Sequence, residues 1–192
     1  HGIREQGGTL LLHKSAHHFD LLNWFIGSDP VEVHAYGDLD FYGHNNSFRS
    51  KRCTGCPHRD NCEYFWDISQ DEMASRLYVD NEHHDGYIRD ACVWREEIDI
   101  FDKMAVQVKY ANGVQVAYSL TTYSPLEGFR LALNGKEGRL ETWEGIPSLM
   151  EVQEDQASIY EKDMSQSSHT KVELRYHEIV TQSRFGEFKR IE

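Results

Sequence analysis

Residues 7–27 read GGTLLLHKSAHHFDLLNWFIG and set His13, Lys14, His17, His18 and Asp20 inside an otherwise apolar run. Each of these side chains is costly to bury without a partner, so the segment must present them to solvent, to one another or to a ligand. On a helical wheel of about 100° per residue, Leu12, Ser15, Ala16, Phe19, Leu22 and Ile26 gather on the side that faces a core. His13, His17, Asp20 and Trp24 form a separate stripe roughly 60° wide beside it, with Lys14, His18 and Phe25 beyond. Imidazole titrates near neutral pH, so one histidine can exchange a proton with a substrate hydroxyl while its neighbour orients that substrate. Asp20 is placed to fix the tautomer of His17 or His13. Two other readings fit the same pattern. The stripe can be a solvated face whose His and Asp pair with each other, or a metal site, because His at i and i+4 can share one ion. The H-E-x-x-H form of zinc peptidases is absent, since Lys14 stands where the Glu would be.

A second cluster of chemistry lies in the cysteines. Cys53, Cys56 and Cys62 are close in sequence and Cys92 stands apart. Their first spacing, C-x2-C, suits a zinc ligand pair, and a loop with little core gains order from a metal. Cys53, Cys56, Cys62 and Cys92 can therefore form a structural metal site, zinc ahead of iron–sulfur, with His58 as a substitute ligand. Four reduced thiols, or one or two disulfides, are the alternatives. Four cysteines are too sparse for a disulfide scaffold at this length, so a reduced, cytoplasmic protein is the expectation. His83 and His84, set between acids, are expected on a solvated surface.

The elements that must position these residues can be read from periodicity. Residues 9–26 are expected as one helix, stopped by Gly27 and Pro30. PVEVHAYGDLDFYG then alternates as a strand through Val31, Val33 and Ala35. Residues 43–62 show no period and read as an irregular, Cys-containing insertion, and 64–80 carries a weak helical signal. KMAVQVKYANGVQVAYSLTTY, residues 103–123, is a hairpin, with Asn-Gly between two alternating runs. FRLALNGKEGRLETW repeats that pattern, 151–170 reads as a polar surface excursion, and 171–180 alternates again. One helix followed by mostly antiparallel strands gives an α+β fold, an open sheet with helices on one face, over a single domain of residues 1–192.

Composition narrows the partners. The 20 Lys and Arg against 32 Asp and Glu leave a net charge of −12. Such a surface repels phosphate backbones and anionic lipid, so no nucleic-acid or membrane partner is expected. No apolar stretch approaches the roughly 20 residues of a membrane helix. Neither G-x-G-x-x-G nor a Walker-type loop occurs, so no recognised motif holds a nucleotide phosphate.

Taken together, GGTLLLHKSAHHFDLLNWFIGSDPVEVHAYG, the DIFDKMAVQVKYANGVQVAYSLTTY hairpin and FRLALNGKEGRLE resemble the C-terminal domain of the Gfo/Idh/MocA oxidoreductases. That group includes glucose-fructose oxidoreductase and inositol dehydrogenase. Gly7-Gly8 match its glycines, His17 its histidine and Asp20 the following aspartate. The resemblance implies that His17 is the acid or base for a hydroxyl whose carbon gives hydride to a nicotinamide. Four residues earlier the family places a substrate-binding Asp, and here that position is His13, followed by Lys14. A histidine cannot supply a carboxylate's charge, which favours substrates carrying an acidic group, with Lys14 and His18 nearby. Asp20 and Tyr123 complete the expected substrate-binding set.

The resemblance further implies NAD or NADP, held mainly by an N-terminal Rossmann domain that these residues lack. The segment is then a C-terminal piece that is inactive alone, with a homo-oligomer formed through its sheet face. The expected function is the substrate-binding and catalytic-His domain of an NAD(P)-dependent oxidoreductase acting on a sugar, polyol or related hydroxy compound. An NAD-dependent glycosidase of the same architecture and a non-catalytic metal- or ligand-binding module are the alternatives.

Overall fold

A computed structural model describes residues 2–124, 128–144, 178–184 and 186–191. The excursion expected over 151–170 and the first part of the 171–180 strand lie outside the described residues. The chain divides into two compact units, His1–Tyr123 and Ser124–Glu192. Its class is α+β with open sheets, and among the described residues every strand pair is antiparallel. The described strands group into two sheets, one of three strands and one of four.

In the first unit, β1 (Pro30–Asp38), β2 (Lys103–Tyr110) and β3 (Gln115–Thr121) pair in the order β1-β2-β3. Alternation decides the faces. Met104, Val106, Val108 and Tyr110 are buried, while Ala105, Gln107 and Lys109 between them are exposed. The hairpin closes where Tyr110 N–H donates to the Val114 carbonyl at 2.9 Å, and Gly113 takes a φ of +87° that a side chain would resist.

The expected helix over 9–26 is broken. Residues Leu10–His13 form one turn, α2, after the short α1 (Arg4–Gly7), and α3 runs Ala16–Ile26. At the break Ser15 N–H reaches back five residues to the Leu10 carbonyl, 3.1 Å away. This wider turn shifts the phase of the two pieces. Leu11 packs against Val106, Val108 and Tyr110 together with Phe19 and Ile26. Leu12 and Ala16, expected toward the core, are exposed instead, Leu12 by 69%. The helix ends at Gly27 in the left-handed region (φ +61°), and Asn23 accepts a 2.7 Å hydrogen bond from the Tyr110 hydroxyl, fixing α3 to β2.

Two devices join β1 to the start of β2. Gly37 pairs with Met104, and a Cβ there would stand 2.5 Å from Phe101 Cδ2 and 3.1 Å from Met104 Cγ. Gly37→Ala should therefore destabilise the fold by about 1–3 kcal/mol through overpacking. A thermal melt checks this, and an unchanged midpoint would show that Phe101 yields freely. Asp102, 1% exposed, accepts backbone N–H groups from Asp40 (3.1 Å), Phe41 (2.7 Å) and Tyr42 (2.9 Å). Burial, the neighbouring Tyr64 and the Asp102 carboxylate push the Tyr42 phenol up to about 12.

Between the strands, 39–100 is largely irregular, well beyond the expected 43–62, and the helical signal over 64–80 yields only short pieces. Its regular pieces include α4 (Glu72–Leu77) and α5 (Glu82–Asp85). Phe41, Tyr42, Tyr64 and Trp94 pack as an aromatic cluster, with ring centroids 5.1–6.0 Å apart. In the second unit, β4 (Phe129–Asn134), β5 (Gly138–Glu144), β6 (Glu178–Ser183) and β7 (Phe188–Ile191) form a meander. Arg130 and Arg139 flank Glu141 there and hold its carboxyl at about 2.

Candidate functional site

The packing of α3 decides which of its side chains can meet a ligand. With Ser15, Phe19, Leu22 and Ile26 turned to the sheet, His17 and Asp20 are left exposed, and so is Trp24 by 76%. His13 and Lys14 are exposed across the break, at the end of α2. The side chains of His17, Asp20 and Lys14 make no hydrogen bond among the described residues. The stripe is thus a rigidly anchored, solvent-facing edge carrying an imidazole whose lone pair and N–H are not consumed by the fold.

His18 departs from the expectation that set it beyond the stripe. It is half-buried, and its Nδ1 lies 2.9 Å from the Tyr118 hydroxyl. That hydroxyl donates in turn to Ser15 Oγ at 2.8 Å, and Ser15 is fully buried. With Tyr118 donating to Ser15, His18 Nδ1–H is the donor to Tyr118 and Nε2 carries the ring's lone pair. The chain His18–Tyr118–Ser15 ties both ends of the first turn of α3 to β3. The strand alternation places Tyr118 on the core face beside Val106, which was readable. Its meeting with His18, 100 residues earlier, was not.

Burial, then the neighbouring His17, holds the His18 pKa below its ordinary value. The unfolded chain therefore binds this proton more readily than the folded one. Its contribution to stability is complete above the ordinary histidine value of about 6.5 and is lost as pH falls through and below that value. Replacing Tyr118 with Phe removes both hydrogen bonds and leaves the buried Ser15 hydroxyl without this partner, so a loss of about 1–3 kcal/mol is expected. A pH series of thermal melts on wild type, Tyr118→Phe and His18→Asn checks both points. An acid slope unchanged in His18→Asn would discount His18 as its source.

Tyr123 lies elsewhere in the first unit. It stacks on Phe41 at 4.8 Å and 24° and meets Tyr42 edge-on, and Tyr42 in turn lines a cleft. This cleft of about 670 Å³ is lined by Gln6, Leu10, Tyr42, Lys51, Arg89 and Phe101 among others, and His13, His17 and Asp20 are not in its wall. His83 and His84 are exposed with rings 3.9 Å apart, a surface pair as expected.

All four cysteines line one cavity of about 30 Å³. None is paired in a disulfide. Burial pushes the Cys53 thiol up, which disfavours a free reactive thiolate there. Among the described residues, no three His, Cys, Asp or Glu side chains are already drawn together as a bound ion would draw them, in the histidine stripe or around this cavity. No helix among them is long and apolar enough to cross a membrane.

Comparison with known proteins follows the same lines. The family described as "Oxidoreductase family, C-terminal alpha/beta domain" matches residues 2–190. The chain belongs to this Gfo/Idh/MocA C-terminal family. A protein named "Putative oxidoreductase YteT" of Bacillus subtilis (strain 168) is 36% identical over 156 residues, covering 72% of this chain and 36% of the relative. The chain thus spans about a third of that protein's length.

Proposed function

We propose that this domain binds a sugar, polyol or related hydroxy compound and handles its proton through His17, within an NAD(P)-dependent oxidoreductase. The observation that carries this reading is the state of His17. It is exposed and unbonded on a helix whose opposite face is locked to the sheet by Phe19, Leu22 and the Asn23–Tyr110 hydrogen bond. A general base must reach its proton in a fixed geometry, and the locked helix supplies that fixity.

The roles of the other residues follow from placement. Asp20, one turn along α3, lies on the same exposed edge as His17 and offers the acceptor for a second hydroxyl. His13 and Lys14 approach from the separate α2 turn. Neither carries negative charge, so they favour a substrate with an acidic group over a neutral one. Tyr123, stacked on Phe41, would line the substrate pocket with an aromatic wall.

A nicotinamide, when bound, accepts or gives the hydride. The described residues do not fit its pyrophosphate. The N-terminus of α3, the longest helix among them, is closed by the buried Ser15, whose hydroxyl is engaged with Tyr118, and no glycine-rich loop precedes it. In this reading the cofactor is held outside these residues, and this domain alone would not turn over. The domain would work within a cytoplasmic homo-oligomer assembled through the exposed sheet face.

The experiment is a panel of sugars, polyols and their acidic derivatives, offered to the full-length protein with NAD+ or NADP+ while nicotinamide reduction is followed. Reduction with at least one hydroxy compound is expected, and with acidic derivatives above neutral ones. Release of a glycosidic leaving group without net reduction would replace this reading with the glycosidase one.

A further inference from the structure

Cys53 and Cys56, Cys62, and Cys92 come from three stretches of chain and meet around one small cavity. Little regular structure holds that region. A single 3-10 turn, Arg59–Asn61, and one isolated bridge, Arg52 to Ala91, are its regular pieces between 46 and 67. The backbone beside each sulfur is nevertheless fixed. Cys53 N–H donates to the Asp90 carbonyl (2.8 Å), Cys56 N–H to Cys53 (2.9 Å), Phe65 N–H to Cys62 (3.1 Å) and Cys92 N–H to Lys51 (3.2 Å). Asp90, 2% exposed, takes the Thr54 amide and hydroxyl at 2.8 and 2.7 Å, and pairs with the Arg52 guanidinium, which also grips Glu82. The two cysteine-bearing segments are thereby pinned to each other at the rim of the cavity.

The electrostatics of the lining point the same way. Trp94 is 6% exposed, and its indole N–H is buried without an acceptor. The Nε of Arg49 is in the same position, and both residues line the cavity. The Trp94 amide already donates to Cys92 Sγ at 3.4 Å. A buried donor left unsatisfied costs about 1–3 kcal/mol. Neutral thiols are weak acceptors, whereas thiolates are strong ones. Four thiolates around one divalent ion carry two net negative charges, which is the complement these surplus N–H groups lack.

We propose that Cys53, Cys56, Cys62 and Cys92 bind one zinc ion as a tetrathiolate that staples the 43–62 insertion to the segment around Cys92. Each sulfur gives its proton to solvent as it binds. Cys53, Cys56 and Cys62 are partly exposed in the cavity wall, and Cys92 is the buried fourth ligand. Soft thiolates and a closed four-ligand set select zinc and leave no position for a substrate. The ion is structural, and it is independent of the helix histidines.

The full-length protein, expressed with zinc and purified under reducing conditions without chelator, should contain about one zinc per chain. Cys62→Ser and Cys92→Ser should each lose most of it, and His13→Ala should keep it. Cobalt reconstitution should give the sulfur-to-cobalt absorption of a tetrahedral thiolate site, weakened in Cys56→Ser, which keeps the test open if Cys92→Ser does not fold. A folded, metal-free protein with four titratable thiols would overturn the proposal. So would disulfides among these cysteines in the freshly purified reduced protein, iron with acid-labile sulfide in place of zinc, or loss of the metal in His13→Ala.

Discussion

In the full-length enzyme, His17→Ala should lower turnover about 10²–10⁴-fold, the range for removal of a positioned general acid or base. The loss should fall on kcat, with nicotinamide affinity unchanged, because the residue is assigned to the substrate's proton. Stability should move by no more than about 0.5 kcal/mol, since the His17 side chain is exposed and makes no hydrogen bond among the described residues, and alanine is the best helix former. That separation makes the measurement decisive. A variant that melts like wild type and turns over within threefold of it would remove His17 from the chemistry. A variant that loses both activity and fold would show that the side chain has a structural partner.

Asp102→Ala should be the most damaging single change to the fold of the first unit. Its carboxylate is 1% exposed and receives three successive backbone N–H groups from Asp40, Phe41 and Tyr42. The Asp102 backbone also accepts from the Thr122 amide and hydroxyl and donates to Asp38, so this residue joins the exits of β1 and β3. Removing the carboxylate strands three donors at about 1–3 kcal/mol each before any local relaxation. A net loss on the order of 4 kcal/mol, and a melting midpoint lowered by roughly 10 °C or more, is expected. Asp102→Asn should fall between, because the amide retains one acceptor oxygen but sets its NH2 against a backbone donor. Thermal melts of the two variants test this, and equal, small shifts would mean that water takes over the donors.

The strands were legible because their signals are local. Alternation through Met104, Val106, Val108 and Tyr110, broken by Asn112-Gly113, fixes hairpin and faces at once, and burial follows it residue by residue. The Phe129–Asn134 and Gly138–Glu144 pair was readable for the same reason. The exposed histidine edge on α3 was legible too, since a wheel needs only period. What the wheel missed was the break at Lys14–Ser15. No proline or glycine marks it, and its cause is tertiary: the buried Ser15 is held by Tyr118, a residue 103 positions away. The Asp102 anchor was equally hidden, because an aspartate at the head of a strand looks like a turn former until the loop that wraps it is known. For the cysteines, spacing named the set, but only the fold could bring Cys92 to the other three.

The same break has a mechanical consequence. His13 and His17 sit on separate short helices joined by a two-residue joint, the first packed on β2 through Leu11 and the second through Phe19, Ile26 and the Asn23–Tyr110 hydrogen bond. A helix running unbroken from 9 to 26 would transmit any displacement of His13 straight to His17. Here the joint can absorb it. Substitutions on the exposed side of α2 should therefore disturb the alignment of the exposed edge of α3 less than they would on one continuous helix.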